Sequence, residues 1–267
     1  MELVLTGLDI EEKAKIFTDT LFNSVGGREQ FDEVSIHLNR NDKDDPNTNE
    51  EAMAALRINV KSKDKELVGR LFSAKIIELA LSNYPGFFAG GGVKSGGPVL
   101  IYWPALVDSK HINEVVHFNG KSKELKPTSQ LNFEEIYYQT EPVKIPDAPK
   151  GETSHVPLGT LFGARSGDKG GCANLGVWAK DLDAFAFLSS FLTIEKLKEL
   201  MPDLKEFKIE RFDLSNILSL NFYIHDILED GVSSNSRKDA QAKSLGEYLR
   251  AKKANIPSSL LETLNEY

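Results

Sequence analysis

Cysteine is almost missing from this chain. With Cys172 alone there is no internal disulfide, and no Cys/His spacing suggests zinc. Basic residues are also in deficit. The 32 Lys and Arg stand against 40 Asp and Glu, a formal net charge of −8, which argues against a generic nucleic-acid surface. A local basic pocket stays open. No apolar run approaches the roughly 20 residues that span a bilayer. The opening "MELVLTGLDIEEKAK" has neither the basic and apolar regions of a signal peptide nor an Arg-rich transit pattern. No nucleotide or other cofactor motif is visible. These absences lead us to expect a cytoplasmic protein with no membrane, nucleic acid, metal or cofactor as partner.

What the chain does have is the making of two cores. Its 267 residues are 40% hydrophobic and 27% charged, as in a soluble globular protein. Residues 2–5 read as a strand. Asp9 with Glu12 reads as a capping box opening a helix that should end at Gly26–Gly27. "FDEVSIHL" and "ALRINVKS" alternate as strands, separated by the solvated loop "NRNDKDDPNTNEE". "DKELVGRLFSAKIIELALSNYP" places Leu67, Leu71, Ile76, Leu79 and Ala80 on one helical face before Pro85. "GFFAGGGVKSGGP" reads as a mobile loop and "VLIYWPALV" as the next strand, with "INEVVHFN" a further one. The order β-α-β-β-α-β predicts a ferredoxin-like arrangement for residues 1–119.

Residues 120–154 lose the pattern among Pro127, Pro142, Pro146 and Pro149, so they read as a linker, with a short helix around 131–138. In 155–257 the order predicts a second α/β sandwich. Its strands are "HVPLGTLF", "ANLGVWAK", "EFKIERFDL" and "ILSLNFYIHDIL". A helix or helix pair spans about 182–201, and "AQAKSLGEYLRAKKA" is the last helix. Residues 258–267 form a tail. The expected class is α+β: two ferredoxin-like α/β sandwiches, each an antiparallel sheet with helices on one face.

The densest chemistry is "FGARSGDKGGCANLGV", residues 162–177. Its glycines suit a tight turn whose N–H groups cradle an anion. Arg165 offers a planar fork to carboxylate or phosphate, Lys169 a point charge, and Ser166 and Asn174 further donors. Asp168 either orients a cation or acts as a base. The plain alternative is a hairpin held by an Arg165–Asp168 pair. The glycine spacing is not that of a Walker A motif, and a strand follows. Cys172, beside Lys169, has no evident partner base.

A second cluster, "GVSSNSRKDAQAK", places Ser234, Arg237, Asp239 and Lys243 where a strand hands over to a helix. Asp239 is here either a proton carrier or a cap with an i,i+4 partner in Lys243. In "SLNFYIHDIL", Asn221, Tyr223 and His225 share one side of a strand with Leu220, Phe222 and Ile224 opposite. His225 suits acid/base work or a structural hydrogen bond. The loop "GGGVKSGG", residues 90–97, precedes a strand and so supplies no helix N-terminus for a phosphate.

These stretches together resemble the acyclic terpene utilisation A (AtuA-like) family. "ARSGDKGGCANLGV", "ERFDLSNILSLNFYIHDIL" and "GVSSNSRKDAQAKSL" carry the resemblance in the second half, and "LTGLDIEEKAK", "LRINVKSKDKELVGR" and "SNYPGF" in the first. The resemblance implies a ferredoxin-fold domain at the C-terminal end and a role in breakdown of branched, terpenoid or other acyl-CoA compounds. No established reaction comes with it. Family members usually carry a long α/β region before "LTGLDIEEK", so the resemblance also implies a missing α/β partner segment. The chain departs from the family pattern at Gly171 and Ala242.

Two functional expectations follow. In one, the chain is a cofactor-independent hydratase or lyase acting on a carboxylate or acyl-CoA. Arg165, Ser166, Lys169, Asn174, Asn221, Ser234, Arg237 and Lys243 hold the anion, and Asp168, Asp239 or His225 moves the proton. In the other, it is a non-catalytic accessory or assembly subunit, a homo-oligomer or the partner of a separate N-terminal segment.

Overall fold

A computed structural model describes residues 1–82, 86–89, 96–125 and 143–262. The chain is a mix of helices and antiparallel sheets that divides into two compact units, Met1–Val99 and Leu100–Tyr267.

In the first unit β1 (Glu2–Thr6) leads to α1 (Ile10–Ser24), β2 (Glu33–Asn39), β3 (Met53–Lys61), α2 (Phe72–Ser82) and β4 (Phe87–Ala89). The sheet runs β2-β3-β1-β4, every neighbouring pair antiparallel. Helix α1 buries Ile10, Ala14, Phe17, Leu21 and Phe22 at helical spacing. They meet Leu3 and Leu5 of β1 and Ala54, Leu56 and Ile58 of β3, which alternate onto one sheet face. Phe22, Phe31 and Phe72 close this core edge to face, Phe31 and Phe72 with centroids 5.5 Å apart. The helix ends as its glycines demand: Gly26 turns left-handed at φ 92°, and the Gly27 N–H reaches back to the Phe22 carbonyl at 2.8 Å.

Three local expectations are corrected here. Asp9 makes no side-chain cap and is itself left-handed at φ 56°, so α1 opens without a capping box. Leu71 is 55% exposed, because the backbone breaks helical geometry at Gly69 (φ −89°, ψ −114°) and α2 begins only at Phe72. The fourth strand comes from the stretch read as a loop. Phe87–Ala89 pairs with the free side of β1, whereas residues 100–107 of "VLIYWPALV" form no strand and stand exposed. Pro104 removes a donor from that run, and its apolar side chains alternate onto no buried face. Residues 90–95 of the glycine loop and the helix expected at 131–138 lie outside the described residues.

The second unit contains the hairpin β5 (Glu114–Phe118) and β6 (Lys121–Leu125), then β7 (Thr153–Pro157), β8 (Gly163–Lys169), β9 (Cys172–Trp178), α3 (Leu182–Phe191), α4 (Ile194–Leu200), β10 (Ile209–Leu214), β11 (Ser219–Ile224), α5 (Leu245–Ala251), β12 (Lys253–Pro257) and α6 (Ser258–Glu262). The main sheet is β10-β11-β9-β8, antiparallel throughout, and β12 pairs with β7 beside it. Ala173, Leu175 and Val177 of β9 and Leu220, Phe222 and Ile224 of β11 point to one face. There they share a core with Phe185 and Leu188 of α3, Leu197 of α4 and Leu249 of α5. Asp181 caps α3 through the Ala184 N–H, and Thr193 caps α4 through that of Lys196. The last helix is shorter than expected: it starts at Leu245, and residues 240–244 are turn and coil.

Candidate functional site

The polar motif of residues 162–177 is not a pliable loop. Residues Gly163–Lys169 form the edge strand β8, and only Gly170 and Gly171 make the turn into β9. Alternation then sorts the motif onto two faces. Ala164, Ser166 and Asp168 face the helices. Gly163, Arg165, Gly167 and Lys169 lie on the outer face, which contributes nothing to the core.

On the inner side the polar groups hold the fold. Ser166 is 9% exposed, and its Oγ accepts the Gly246 N–H at 3.0 Å, tying β8 to the start of α5. Asp168 lines a cavity of about 270 Å³ with Leu100, Ile101, Tyr102, Gly170, Val232 and Ser233. The ends of the two polar motifs therefore meet, but no Lys or Arg lines the hollow they make. Lys169 Nζ turns back to the Asp168 carbonyl at 2.8 Å.

The second motif is likewise occupied with its own turn. Buried Ser234 donates from Oγ to the Gly231 carbonyl, and Asn235 spans the loop to the Gly231 and Ala240 carbonyls. Arg237 pairs with Asp203 at 3.6 Å. Asp239 accepts the N–H groups of Lys243 and Ser244 and the Ser244 hydroxyl. Burial pushes the Asp239 carboxyl up, yet these hydrogen bonds outweigh it and hold the group below the usual carboxylate range. Lys243 borders an open depression with Lys238, Asp239 and Ser244. No cavity among those found in the described residues is lined by both Arg165 and Arg237. Most of the second loop's polar groups are engaged within its own turn, and Arg237 with Asp203.

The outer face is a different matter. Strand pairing lays it out in rows across β8, β9, β11 and β10. One row reads Gly163, Trp178, Ser219, Leu214. The next reads Arg165, Gly176, Asn221, Phe212, and the third Gly167, Asn174, Tyr223, Glu210. Beyond them Lys169 stands opposite Cys172, and His225 follows on from β11. Five of the eleven residues expected from sequence thus share this face: Arg165, Lys169, Asn174, Asn221 and His225.

Its floor is bare. Gly167 has nothing within 4 Å of where a Cβ would stand, and Gly176 has only the Arg165 carbonyl, at 3.7 Å. Neither glycine has a positive φ. Glycine inside a strand costs roughly 0.5–1 kcal/mol and marks a place where a ligand or another backbone comes close. Backbone conformation and packing require neither residue. The contrast with their neighbours is clear: Gly163 lies under the Trp178 indole, and a Cβ on Gly171 would collide with the Glu229 carbonyl.

Around the floor stand groups able to recognise an anion and move a proton. Arg165 is exposed and, among the described residues, makes no hydrogen bond or ion pair. Asn174 donates from Nδ2 to Asn221 Oδ1 at 3.2 Å. The neighbouring Cys172 side chain raises the Tyr223 pKa, with burial and nearby Asp226 and Glu210 adding to it. Tyr223 meets the His225 ring edge to face at 4.9 Å. His225 Nε2 lies 2.6 Å from Glu210 Oε1. The hydrogen bond from His225, with one from Lys208, holds Glu210 below the usual carboxylate range. An ionised Glu210 only accepts, so Nε2 carries a proton.

Sequence reasoning passed over Glu210 and Trp178, and it read Gly167 as a turn residue. Alternation in "KIERFDL" was the signal for Glu210, but its place beside His225 depends on the β10–β11 register. No three His, Cys, Asp or Glu side chains gather as a metal site among the described residues.

Two family models match the chain. Residues 1–118 match the acyclic terpene utilisation family protein AtuA, and residues 156–255 match the AtuA ferredoxin-like domain. The chain belongs to the AtuA family. The second match covers the whole β10-β11-β9-β8 sheet, so the outer face lies within the ferredoxin-like domain. The family is associated with acyclic terpene utilisation. No curated protein and no solved structure matches the chain. Among the described residues no helix is long and apolar enough to cross a membrane.

Proposed function

We propose that the chain acts on an elongated carboxylate or acyl-CoA across the outer face of its second sheet, in a hydratase- or lyase-type step without a cofactor. The observation that carries this reading is the exposed Arg165, without a hydrogen bond or ion pair among the described residues, beside Gly176 and Gly167, which leave room where a side chain would stand. Arg165 takes the anionic end through its planar fork. The Asn174 and Asn221 amides, fixed by their mutual hydrogen bond, hydrogen-bond the carbonyl that the chemistry polarises. His225 accepts the proton of an attacking water at Nδ1 and delivers a proton to the adjacent carbon, while Glu210 steadies the imidazolium.

Strand geometry favours a long ligand over a small one. Arg165 and His225 are separated by two strand spacings of about 4.8 Å and four residues of about 3.4 Å, roughly 17 Å between Cα atoms. A short carboxylate does not bridge that span; an acyl chain with a distant anionic group does.

We further infer that both units are ferredoxin-like sandwiches, from the β-α-β-β-α-β order and β2-β3-β1-β4 sheet of the first unit. We also place the protein in the cytoplasm. The functional reading is tested by thermal shift with saturated and unsaturated acyl-CoAs and free carboxylates. It expects a raised melting midpoint with an acyl-CoA that is lost in Arg165→Ala. An equal shift in that variant removes Arg165 from the account.

A further inference from the structure

The β5–β6 hairpin stands apart from both hydrophobic cores. All ten of its strand residues are exposed, and among the described residues its strands pair only with each other. A lone two-stranded hairpin is marginally stable in water, so such an element needs something to pair with.

Its two edges differ. The turn has two residues, Asn119 at φ 49° and Gly120 at φ 72°, the pattern of a type I′ hairpin. Phe118 and Lys121 then form the closing hydrogen-bonded pair. Alternation turns the N–H and C=O groups of Val116 and Glu114 toward β6, and those of Val115 and His117 toward the free side. The β6 edge carries Lys121 and Lys123, which discourage edge-to-edge pairing. The β5 edge reads Glu-Val-Val-His-Phe, with neither lysine nor proline to blunt it.

We propose that β5 is a dimerisation edge and that its occupant is β5 of a second copy of this chain, around a two-fold axis at Val116. This centre satisfies the outward backbone groups and sets valine against valine. Val115 and the second copy's His117 exchange both hydrogen bonds, and Val116 faces Val116 of the second copy as the close, non-hydrogen-bonded pair. The same operation on β6 sets Lys123 against Lys123, a like-charge pair that opposes association. The product is a four-stranded sheet, β6-β5-β5-β6, with lysines on both outer edges.

The surface available matches what a dimer needs. The arm leading into the hairpin exposes Leu100 (65%), Trp103 (86%), Leu106 and Val107, and the hairpin adds Phe118 (73%). Aromatic side chains carry about 150–250 Å² each, so a dimer that buries these residues together with Val115 and Val116 would approach the roughly 800 Å² per partner of a standard interface.

Light scattering on the purified chain, with Val116→Lys and Val115→Pro as variants, tests this. The expected result is twice the monomer mass for the native chain and monomer mass for both variants. Circular dichroism should show the same fold in all three, because the hairpin lies outside both cores. A double variant, Cys172→Ser with Val116→Cys, should oxidise to a disulfide-linked dimer on a non-reducing gel. A native chain that stays monomeric throughout the micromolar range overturns the proposal, as does a dimer that survives both substitutions. This outcome is independent of whether the outer face binds an acyl-CoA.

Discussion

Arg165 and Gly176 sit directly opposite one another on the outer face of β8 and β9. One is a guanidinium that makes no hydrogen bond or ion pair among the described residues, the other a stretch of backbone without a side chain. On the proposed reading the pair serves ligand recognition and not stability, because neither residue contributes to the core.

Truncating the cation should therefore leave the fold alone. Arg165→Ala is expected to change stability by no more than about 0.5 kcal/mol, while abolishing any melting shift produced by an acyl-CoA. Differential scanning fluorimetry with and without ligand checks both halves.

The glycine floor gives a sharper contrast. Gly176→Ala and Gly167→Ala have room for a methyl group, and replacing glycine within a strand is worth up to about 1 kcal/mol in favour of the fold. Both variants should melt at or above the native midpoint yet bind the acyl-CoA at least about tenfold more weakly, a loss of roughly 1.4 kcal/mol. Titration calorimetry with parallel melting curves tests this directly.

Ser166 should behave in the opposite way. Its hydroxyl is the acceptor for a buried backbone N–H at Gly246, so Ser166→Ala leaves that donor unsatisfied, at a cost of about 1–3 kcal/mol. Ligand affinity per folded molecule should not move. Urea unfolding measures the first and calorimetry on the folded fraction the second.

For Asp239 the expectation concerns acid. Its folded-state pKa is depressed, so the stability it contributes is fully present above the unfolded value, near 3.9, and is lost as pH falls through the lower folded value. Asp239→Asn should be less stable than the native chain by about 1 kcal/mol at neutral pH. The gap should narrow as pH falls below ~4 and close only below the depressed folded-state value, where the native side chain is also neutral. Melting curves from pH 7 to pH 3 follow it.

Much of this architecture was readable from residue pattern alone. The alternation of Leu220, Phe222 and Ile224 against Asn221, Tyr223 and His225 is the alternation of the folded strand. Glycine was the main source of error. In "GARSGDKGG" it reads as a turn, because a sequence shows its conformational freedom but not the face on which its missing side chain lies. Only Gly170 uses that freedom, at φ 67°. The fourth strand of the first unit was misplaced for a related reason: "VLIYWPALV" has the more β-prone residues, yet the short Phe87–Ala89 is the segment that reaches the free side of β1. The charges of Arg237 and Asp239 are visible in sequence, whereas their partners, Asp203 and the N–H groups of Lys243 and Ser244, are not.

Chemical-shift mapping on ¹⁵N-labelled protein titrated with an unsaturated acyl-CoA tests the outer-face site most directly. The account predicts perturbations centred on the backbone amides of Gly167 and Gly176, the side-chain amides of Asn174 and Asn221, and the Arg165 Nε–H. Perturbations centred instead on Tyr102, Gly170 and Ser233 around the inner cavity, or none at all at millimolar ligand, would contradict it.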